Sequence, residues 1–504
     1  MSEQTQERQP VSIRRFLGDT AVYGLVEVAD KAIGFLLLPL TTHILTEADY
    51  GVLSIFGTTA QLLSLTIALG MQSTFLRFYS EQTSEEGKVA ILNSVYRIAT
   101  ISSLIWILPM LSLSRWLGPV IFDQDSVTLV IFLGCNAYLD LFNSLGMCRL
   151  RMEGKATTFL WISILSTLCK RGSGLYLLVK GYGAFGWIVG EFFGLLITST
   201  LMTFFVLQGL RFTKHASLLR TLLPFGAGLV PVSISHWLMI SSDKYLIKEM
   251  MQDGMRFVGY YGVGERISSI MALINMAFIL GWQRFAYHNM HLADGPRLIA
   301  RSATVFITLT GFGSMALAML GDDITYWGRI DPKFFPGLPV IPVLTFAGLW
   351  WGMGDIAGIG LMKTNRTRAL ATLNLTAAVI NVALIYVLIP KLGIVGAAAA
   401  TCICQFLKTV AIFILSHKHY PVPFEYRRIG IAFLVFGTIF VAGYFGLSPR
   451  DLNDSKQWVI ATATQATLVA IAPLLLWLCG FFQPEEKEVL RQLLLGNFKA
   501  ALRK

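Results

Sequence analysis

Three charged residues lie in the middle of the first long apolar segment of the chain. Glu27, Asp30 and Lys31 fall within an arc of about 100° when they are placed on an α-helix. Glu27 and Lys31 have the i,i+4 spacing and order that favour an ion pair, which leaves Asp30 to be protonated or to find another partner. A charge at the centre of a bilayer costs roughly 2.5–3.5 kcal/mol even on the more lenient scale. The spacing therefore predicts that this helix face borders a polar cavity.

A second Asp-Lys pair, Asp243 and Lys244, stands at the corresponding place in the second half of the chain, and Glu265 and Arg266 follow in the next apolar segment. The two pairs predict helices that line one central space. Charges inside a membrane are functional by default, although a structural ion pair that fixes helix register is the alternative. We favour the cavity for the charges of the first segment and for Arg266. We favour the structural pair for three charges nearer the ends of their segments: Asp140, Glu191 and Lys408.

The elements that must hold these charges are membrane-spanning helices. The 504 residues are 54% hydrophobic and 14% charged, with a mean hydropathy of +0.61. Soluble proteins carry about 25% charged residues. Apolar blocks of about twenty residues, the length that a bilayer requires, recur along the chain. They predict an all-α integral membrane protein with about fourteen spans, near residues 17–45, 50–72, 89–113, 126–147, 157–179, 184–208, 221–247, 257–288, 298–320, 337–361, 368–389, 393–415, 428–447 and 457–481.

The chain repeats itself with a period near 210 residues. The stretch that begins at Tyr50 and Gly51 aligns without a gap with the stretch that begins at Tyr261 and Gly262. Each repeat holds six spans, an even number, which predicts two pseudo-symmetric six-helix lobes related by an axis along the membrane normal. We expect lobes at residues 1–217 and 218–426, with two extra helices and a basic amphipathic C-terminal helix in residues 427–504. Transporters of this plan hold the substrate between the lobes and alternate its access to the two sides.

The net charge of +11 is explained by topology and not by nucleic acid binding. Most of the 41 Lys and Arg fall on one side of the predicted spans, which predicts that both termini are cytoplasmic and that these residues contact anionic lipid headgroups. The six cysteines and seven histidines show no ligand spacing, so we expect neither a metal nor a cofactor. No predicted outer loop is long enough for a catalytic domain, so the sequence argues against an enzyme.

Several stretches resemble a known family. DKYLIKEM and VGYYGVGERISSIMALINMAFILGWQRFAY resemble spans seven to eight of the polysaccharide-transport (Wzx-type oligosaccharide flippase) family of the MATE/MOP flippase-exporter superfamily. LTEADYGVLS resembles the turn after span one of that family, and VINVALIYVLIPKLGIVGAAAATCICQFL resembles its spans eleven to twelve. The resemblance covers nearly the whole chain. It implies a V-shaped pair of lobes that moves undecaprenyl-pyrophosphate-linked oligosaccharide across the bacterial inner membrane.

The resemblance also implies roles for the charged residues. Basic residues would bind the pyrophosphate of the substrate, and these are Lys31, Lys244 and Arg266. Acidic residues would adjust those bases, accept hydrogen bonds from sugar hydroxyls or carry a coupling H⁺ or Na⁺, and these are Glu27, Asp30, Asp243 and Glu265. The implied partner is a polyprenyl-linked glycan made for surface polysaccharide or O-antigen.

Three other functions were weighed, and the first of them stays open. A cation-coupled multidrug or small-molecule exporter of the same superfamily suits Glu27 and Asp30, because a carboxylate in a span can bind H⁺ or Na⁺. A glycan polymerase or ligase would need a large external catalytic loop, which we do not find. A membrane scaffold without transport activity gives no reason for charged helix faces in both halves.

Overall fold

We describe the protein from a computed structural model, which places residues 26, 28–123, 126–206, 216–290, 292, 294–364, 366–446, 455–484 and 486–487. Glu27 and most of the predicted amphipathic C-terminal helix lie outside these ranges. Within them every regular element is a helix, in agreement with the predicted all-α class. The chain forms two compact units, Met1–Gly262 and Val263–Lys504. The lobe boundaries predicted at 217/218 and 426/427 refer to the sequence repeat and stay a prediction.

The described helices are numbered in chain order. Residues 28–36 are helical and lead into α1. The first unit contains α1 Leu38–Ile44, α2 Glu47–Ala68, α3 Met71–Glu81, α4 Glu85–Ser112, α5 Ser114–Phe122, α6 Val127–Met152, α7 Ala156–Leu177, α8 Gly183–Leu201, α9 Ala216–Ala227, α10 Val230–Met250 and the start of α11 Gly254–Ser268. The second unit contains the end of α11, α12 Ile270–Asn289, α13 Gly295–Trp327, α14 Val340–Ala357, α15 Ile359–Lys363, α16 Thr367–His419, α17 Tyr426–Gly446 and α18 Ser455–Leu478. A short 3₁₀-helix, Pro332–Gly337, precedes α14, and π-helical turns follow α7 and α8 at Leu178–Tyr182 and Met202–Val206.

Eleven helical stretches in the described residues are long and apolar enough to cross a membrane. Two of these, Ala156–Phe205 and Arg368–His419, have 50 and 52 residues, about twice the required length. Each is interrupted by a glycine with positive φ, Gly181 (φ 90°) in the first and Gly393 (φ 58°) in the second, where a side chain would be strained. Counting each as a hairpin of two spans raises eleven to thirteen, and the first of the fourteen predicted spans lies partly outside the described residues.

The outward faces of these helices carry large apolar side chains. Trp161 and Phe204 are each 66% exposed, and Leu434 and Leu478 are each 70% exposed. A soluble protein rarely leaves so much contiguous apolar surface in water, whereas hydrocarbon stabilises it. The multi-pass membrane architecture therefore agrees with both the length and the surface of the helices.

Side-chain caps begin several of the helices. At the start of α2 the Thr46 hydroxyl accepts a hydrogen bond from the Asp49 backbone N–H at 3.1 Å, and the Asp49 carboxylate accepts one from the Thr46 N–H at 3.2 Å. This capping box satisfies two otherwise unpaired donors. Ser84 and Ser126 cap α4 and α6 in the simpler way, through one hydroxyl each.

Gly51 of the repeated YG motif and the nearby Gly259 let α2 and α11 pack closely within the first unit. A Cβ added at Gly51 would overlap the Met255 carbonyl, and one added at Gly259 would overlap the Glu47 carbonyl. Arg256 pairs with Glu47 at 3.3 Å beside this contact. Small residues are the usual means by which membrane helices approach each other. The repeated motif thus has a structural role where the described helices meet.

Candidate functional site

Two polar cavities lie among the helices of the first unit. The larger, of about 460 Å³, is lined mainly by α2, α3, α6, α7 and α8, and the smaller, of about 360 Å³, by residues 26–31 and by α6, α7 and α8. Three residues border both cavities: Asp140, Lys170 and Leu195. Both volumes fall in the range of about 300–1,000 Å³ that is typical of small-molecule sites. A single functional site with two compartments is the simplest description of this space.

Arg171 joins three elements beside the cavities. Its Nη1 lies 3.1 Å from Glu191 Oε1 on α8, and its Nη2 lies 3.8 Å from Asp30 Oδ2 on the first helix. The Trp187 indole N–H also donates to Glu191, at 3.3 Å, and the Arg171 guanidinium lies 5.8 Å from the Trp187 ring centroid. Since only 18% of the Arg171 side chain is exposed, these two carboxylates are the main compensation for its charge.

Lys170, the neighbour of Arg171 on α7, is in a different position. Its side chain is partly exposed and borders both cavities, and no ion-pair partner for it lies in the described part of the chain. Asp140 on α6 is a source of opposite charge that acts on the same space. An ammonium in a membrane span that faces a cavity without a salt bridge is available to bind an anionic group.

Asn136 and Asp140 lie one helical turn apart on α6 and face the larger cavity together. Asp140 is exposed to that cavity, whereas Asn136 is only 5% exposed. Neither the Oδ1 nor the Nδ2 atom of Asn136 has a hydrogen-bond partner among the described residues. Burying an amide without partners costs roughly 1–3 kcal/mol by the measure of protein mutations. A ligand that forms hydrogen bonds with the Asn136 amide would remove this cost.

The first helix brings its charges to the smaller cavity. Asp30 accepts a hydrogen bond from the Thr167 hydroxyl at 3.1 Å, and both Asp30 and Lys31 line the cavity wall. Arg151 reaches the same cavity from the end of α6. The helix face that was predicted to border a cavity thus does so at Asp30 and Lys31. The substrate-binding role of Lys31 and the coupling role of Asp30 stay predictions, and Glu27 lies outside the described residues.

The end of α6 that carries Arg151 is fixed by a cluster around Glu153. Arg149 Nε and Lys155 Nζ lie 2.6 and 2.7 Å from its two carboxylate oxygens, and the Tyr79 hydroxyl donates to it at 3.2 Å. Burial alone would raise the pKa of Glu153, but the hydrogen bonds from Lys155 and Arg149 outweigh it and hold this pKa below its ordinary value. Burial, with the Glu153 charge, raises the pKa of Tyr79 to about 12.

The second Asp-Lys pair occupies a packed contact. Asp243 is 3% exposed and accepts a hydrogen bond from the Tyr261 hydroxyl, while Lys244 is 9% exposed and its Nζ lies 3.3 Å from Thr58 Oγ1. The Trp237 indole N–H donates to the Thr58 carbonyl in the same contact, at 3.1 Å. Neither member of the pair lines the two cavities described above. Their predicted roles in binding and coupling stay predictions, and in this structure the pair joins α10 to α2 and α11.

The other predicted site residues, Glu265 and Arg266, lie in the second unit near the end of α11 and are half-buried. Their predicted roles are untested. The same unit holds Asp355, which is exposed on α14, and Lys408, which is buried on α16. These two charges lie close enough to influence each other. The structural pair proposed for Lys408 stays a prediction.

Sequence reasoning placed two residues of the larger cavity among the structural pairs. Asp140 and Glu191 both line that cavity, although Glu191 also forms the ion pair expected of it. Asn136 was not singled out at all. The available signal was weak: Asn136 and Asp140 share a helix face, and Lys170 and Arg171 stand together inside a predicted span. Among the described residues, the two cavities are lined by six charged side chains that are balanced in formal charge: Asp30, Lys31, Asp140, Arg151, Lys170 and Glu191.

Comparison with known proteins agrees with this architecture. Residues 41–279 match the family model described as "Polysaccharide biosynthesis protein". A sequence search of curated proteins found no match. A structure described as "Lipid II flippase MurJ, inward closed conformation" aligns with a TM-score of 0.66 at 14% identity, over 90% of this chain and 98% of that chain. At such identity the likeness shows a shared fold.

Two multidrug transporter structures have the same fold. One is described as the MATE multidrug transporter DinF-BH, with a TM-score of 0.59 at 16% identity over 84% of this chain and 99% of that chain. The other is an inward-facing MATE family transporter of the MOP superfamily, with a TM-score of 0.55 at 14% identity over 81% of this chain and 98% of that chain. The resemblance predicted from the sequence is thus confirmed: the chain matches the polysaccharide biosynthesis protein family over residues 41–279 and has the fold of MOP superfamily transporters.

Proposed function

We propose that this protein flips lipid-linked oligosaccharide repeat units across the bacterial inner membrane during the synthesis of surface polysaccharide or O-antigen. The lipid is an undecaprenyl pyrophosphate, and transport proceeds by alternating access of the cavity to the two sides. No catalytic step is involved. The family match over residues 41–279 and the flippase named among the structures of the same fold support this assignment.

The single observation that carries the proposal is the polar space around Lys170, in a unit whose outer surface is apolar. A glycan headgroup carries many hydroxyls and a doubly charged linkage, and hydrocarbon satisfies neither. A cavity lined by an ammonium, hydroxyls and amides replaces part of the lost hydration. The prenyl chain can meanwhile remain among lipid tails, which resemble it chemically.

The basic residues have defined parts in this proposal. Lys31 and Lys170 would donate charge-assisted hydrogen bonds to the pyrophosphate oxygens from the wall of the smaller cavity. Arg266 is proposed to act from the second unit. Lys244 would contribute only in a conformation in which α10 separates from Thr58 on α2, because its Nζ is now used there.

The acidic residues are proposed to pair with the basic residues and to carry the coupling H⁺ or Na⁺. Asp30 shares Arg171 with Glu191, so protonation of Asp30 would weaken one side of that bridge. Glu27, Asp243 and Glu265 are proposed for the same class of role. An inside-negative membrane potential favours outward movement of an anionic headgroup by about 2.3 kcal/mol per charge per 100 mV. We propose the inner membrane as the location, with both termini in the cytoplasm.

A deletion strain tests the function directly. Without the protein we expect surface polysaccharide to disappear and its lipid-linked repeat unit to accumulate on the inner leaflet, where an enzyme added outside cannot reach it. Wild-type protein should reverse both changes, measured by glycan staining and by extraction of labelled lipid. Unchanged surface polysaccharide in the deletion strain would contradict the proposal.

A second candidate is a cation-coupled exporter of drugs or other small molecules. The observation in its favour is that two carboxylates, Asp30 and Asp140, line the smaller cavity, where one of them could bind H⁺ or Na⁺. The multidrug transporters of the same fold support the comparison. In the deletion strain this function predicts greater sensitivity to cationic dyes with normal polysaccharide, the reverse of the first outcome.

A further inference from the structure

The two cavities differ in the charged residues that line them, which suggests that they bind different parts of one ligand. The smaller cavity is bordered by three bases, Lys31, Arg151 and Lys170, and by two acids, Asp30 and Asp140. The larger is bordered by two acids, Asp140 and Glu191, and by the one base that it shares, Lys170. Among the described residues, the smaller cavity thus has an excess of positive formal charge and the larger does not.

The remaining wall of the larger cavity is rich in neutral hydrogen-bonding groups. Gln61, Ser64 and Ser73 line it from α2 and α3, and none of their side chains makes a hydrogen bond within the described part of the chain. Asn136 adds a buried amide whose donor and acceptor atoms have no protein partner there. Sugar hydroxyls and N-acetyl groups both donate and accept hydrogen bonds, so they can satisfy such groups on all sides.

The two spaces are joined as well as distinguished. Lys170 and Asp140 belong to both walls, and Gln72 of the larger cavity donates a hydrogen bond at 2.8 Å to Ser144, which lines the smaller. A ligand with an anionic end and a neutral end can therefore place one end in each space, with Lys170 at the junction.

We propose that the smaller cavity is the pyrophosphate subsite and the larger cavity is a sugar subsite that accepts neutral or amino sugars and discriminates against acidic ones. This inference rests on the proposed function and deepens it, because it names the chemical class of the glycan. The physical basis is that Asp140 repels a carboxylate sugar, while the neutral amides and hydroxyls match uncharged sugar groups. Glu191 adds to this repulsion, because its carboxylate is 29% exposed and only partly neutralised by Arg171.

Binding to the full-length protein in lipid nanodiscs tests the assignment. Three soluble probes are compared: farnesyl pyrophosphate, the same lipid linked to a disaccharide of N-acetylglucosamine, and the same disaccharide lipid with glucuronic acid at its end. We expect the neutral disaccharide probe to bind about tenfold more tightly than the acidic one, which corresponds to about 1.4 kcal/mol. The E191Q substitution should reduce this preference, because it removes one of the two repelling carboxylates.

Single substitutions separate the two subsites. Gln61→Ala should weaken the neutral disaccharide probe several-fold and leave farnesyl pyrophosphate unchanged, whereas Arg151→Ala should weaken all three probes by a similar factor. Gln61 is exposed to the cavity, so its loss leaves the fold intact, and thermal unfolding of each variant verifies this. Thr200→Ala is the matched control, since Thr200 is exposed on α8 and lines neither cavity.

Two results would overturn the assignment. One is equal affinity for the neutral and acidic probes, and the other is a Gln61→Ala variant that loses farnesyl pyrophosphate as strongly as it loses the disaccharide probe. Absence of binding by all three probes would overturn it as well. The surface polysaccharide of the deletion strain decides the proposed function separately, so the two can fail independently.

Discussion

At the scale of single residues, the site contrasts two adjacent bases on α7. Arg171 is held by Glu191 and Asp30, whereas Lys170 faces both cavities without an ion-pair partner in the described residues. A paired base mainly fixes helix positions, and an unpaired base in a cavity is free to bind an anion. The chemistry of the site therefore depends on Lys170 more than on its better-connected neighbour.

Replacement of Lys170 tests that difference. We expect Lys170→Ala to lower transport of the lipid-linked glycan at least about tenfold, the loss of one charge-assisted hydrogen bond or more, while the protein still folds. Lys170→Arg should restore part of the activity because it retains the charge. Transport is measured in proteoliposomes as protection of labelled lipid from an external reagent. Lys180→Ala on the exposed hairpin turn is the control, and equal loss in that variant would contradict the assignment.

Replacement of Asn136 is expected to raise the stability of the protein and to lower its transport activity. Asn136→Leu removes a buried amide without partners in the described residues and keeps the branching and the number of side-chain heavy atoms, so it should raise the free energy of unfolding by about 1 kcal/mol or more. The same change should lower glycan transport because the cavity loses a donor and an acceptor. Thermal unfolding and the proteoliposome assay report the two effects. A variant that is less stable than wild type would show that the amide has a structural partner.

Glu153 predicts a dependence of stability on pH. Because its pKa is lowered in the folded protein, Glu153 stabilises the fold at pH values above its unfolded pKa of about 4.3. That contribution is lost as the pH falls through the lower, folded pKa. We expect Glu153→Gln to reduce stability by about 1–2 kcal/mol at pH 7 and the gap from wild type to shrink as the pH falls below about 4. A gap that stays constant over this range would exclude the carboxylate charge as its cause.

At the scale of elements, the α7–α8 hairpin depends on small residues along one helix face. Gly186, Gly190 and Gly194 have the small-xxx-small spacing that predicts close packing, and the structure confirms it. A Cβ at Gly190 would overlap the backbone at Gly174, and a Cβ at Gly194 would overlap the backbone at Lys170. The position of Lys170 is therefore set by a glycine on the neighbouring helix.

Alanine substitutions at two helical glycines test this contact. Gly190→Ala should destabilise the protein by about 1–3 kcal/mol, because overpacked cores rearrange at that cost. Gly437→Ala on α17 should stabilise it by about 0.5–1 kcal/mol, since no described atom lies within 4 Å of the added Cβ and alanine favours helix. The comparison uses the melting temperature of each purified variant in the same detergent. Equal changes in melting temperature for the two variants would contradict the close contact between α7 and α8.

At the scale of the whole molecule, the distribution of basic residues predicts orientation in the membrane. Lys155 lies between α6 and α7, and Lys180 lies in the turn between α7 and α8, so the two should stand on opposite sides. In a variant without the six native cysteines, Lys180→Cys should react with an impermeant maleimide in intact cells. Lys155→Cys should react only after the inner membrane is opened, and the reverse pattern would invert the predicted topology.

The sequence was sufficient for the fold because bilayer thickness fixes the length of each span. It also predicted that Asp30 and Lys31 face a cavity, since lipid would penalise both charges. It could not assign Asp140 and Glu191 to that space, because the faces that meet depend on how each helix is rotated and crossed. The sequence did not identify Asn136 as a site residue, since a single amide in an apolar helix can serve helix packing as readily as ligand binding. Asp243 and Lys244 resemble the first pair in sequence, yet tertiary contacts bury them against Thr58 and Tyr261.

The backbone contact between Gly174 and Gly190 has a mechanical consequence. Two helices in main-chain contact have little room to slide or tilt against each other. We therefore expect α7 and α8 to move as one rigid body during transport. Lys170 on α7 and Glu191 on α8 belong to this rigid body, so the distance between them would stay constant. A change in the width of the cavities would then come from the other elements that line them, namely the first helix, α2, α3, α6 and α10. The wall that carries the Lys170 ammonium would stay fixed while the opposite walls move.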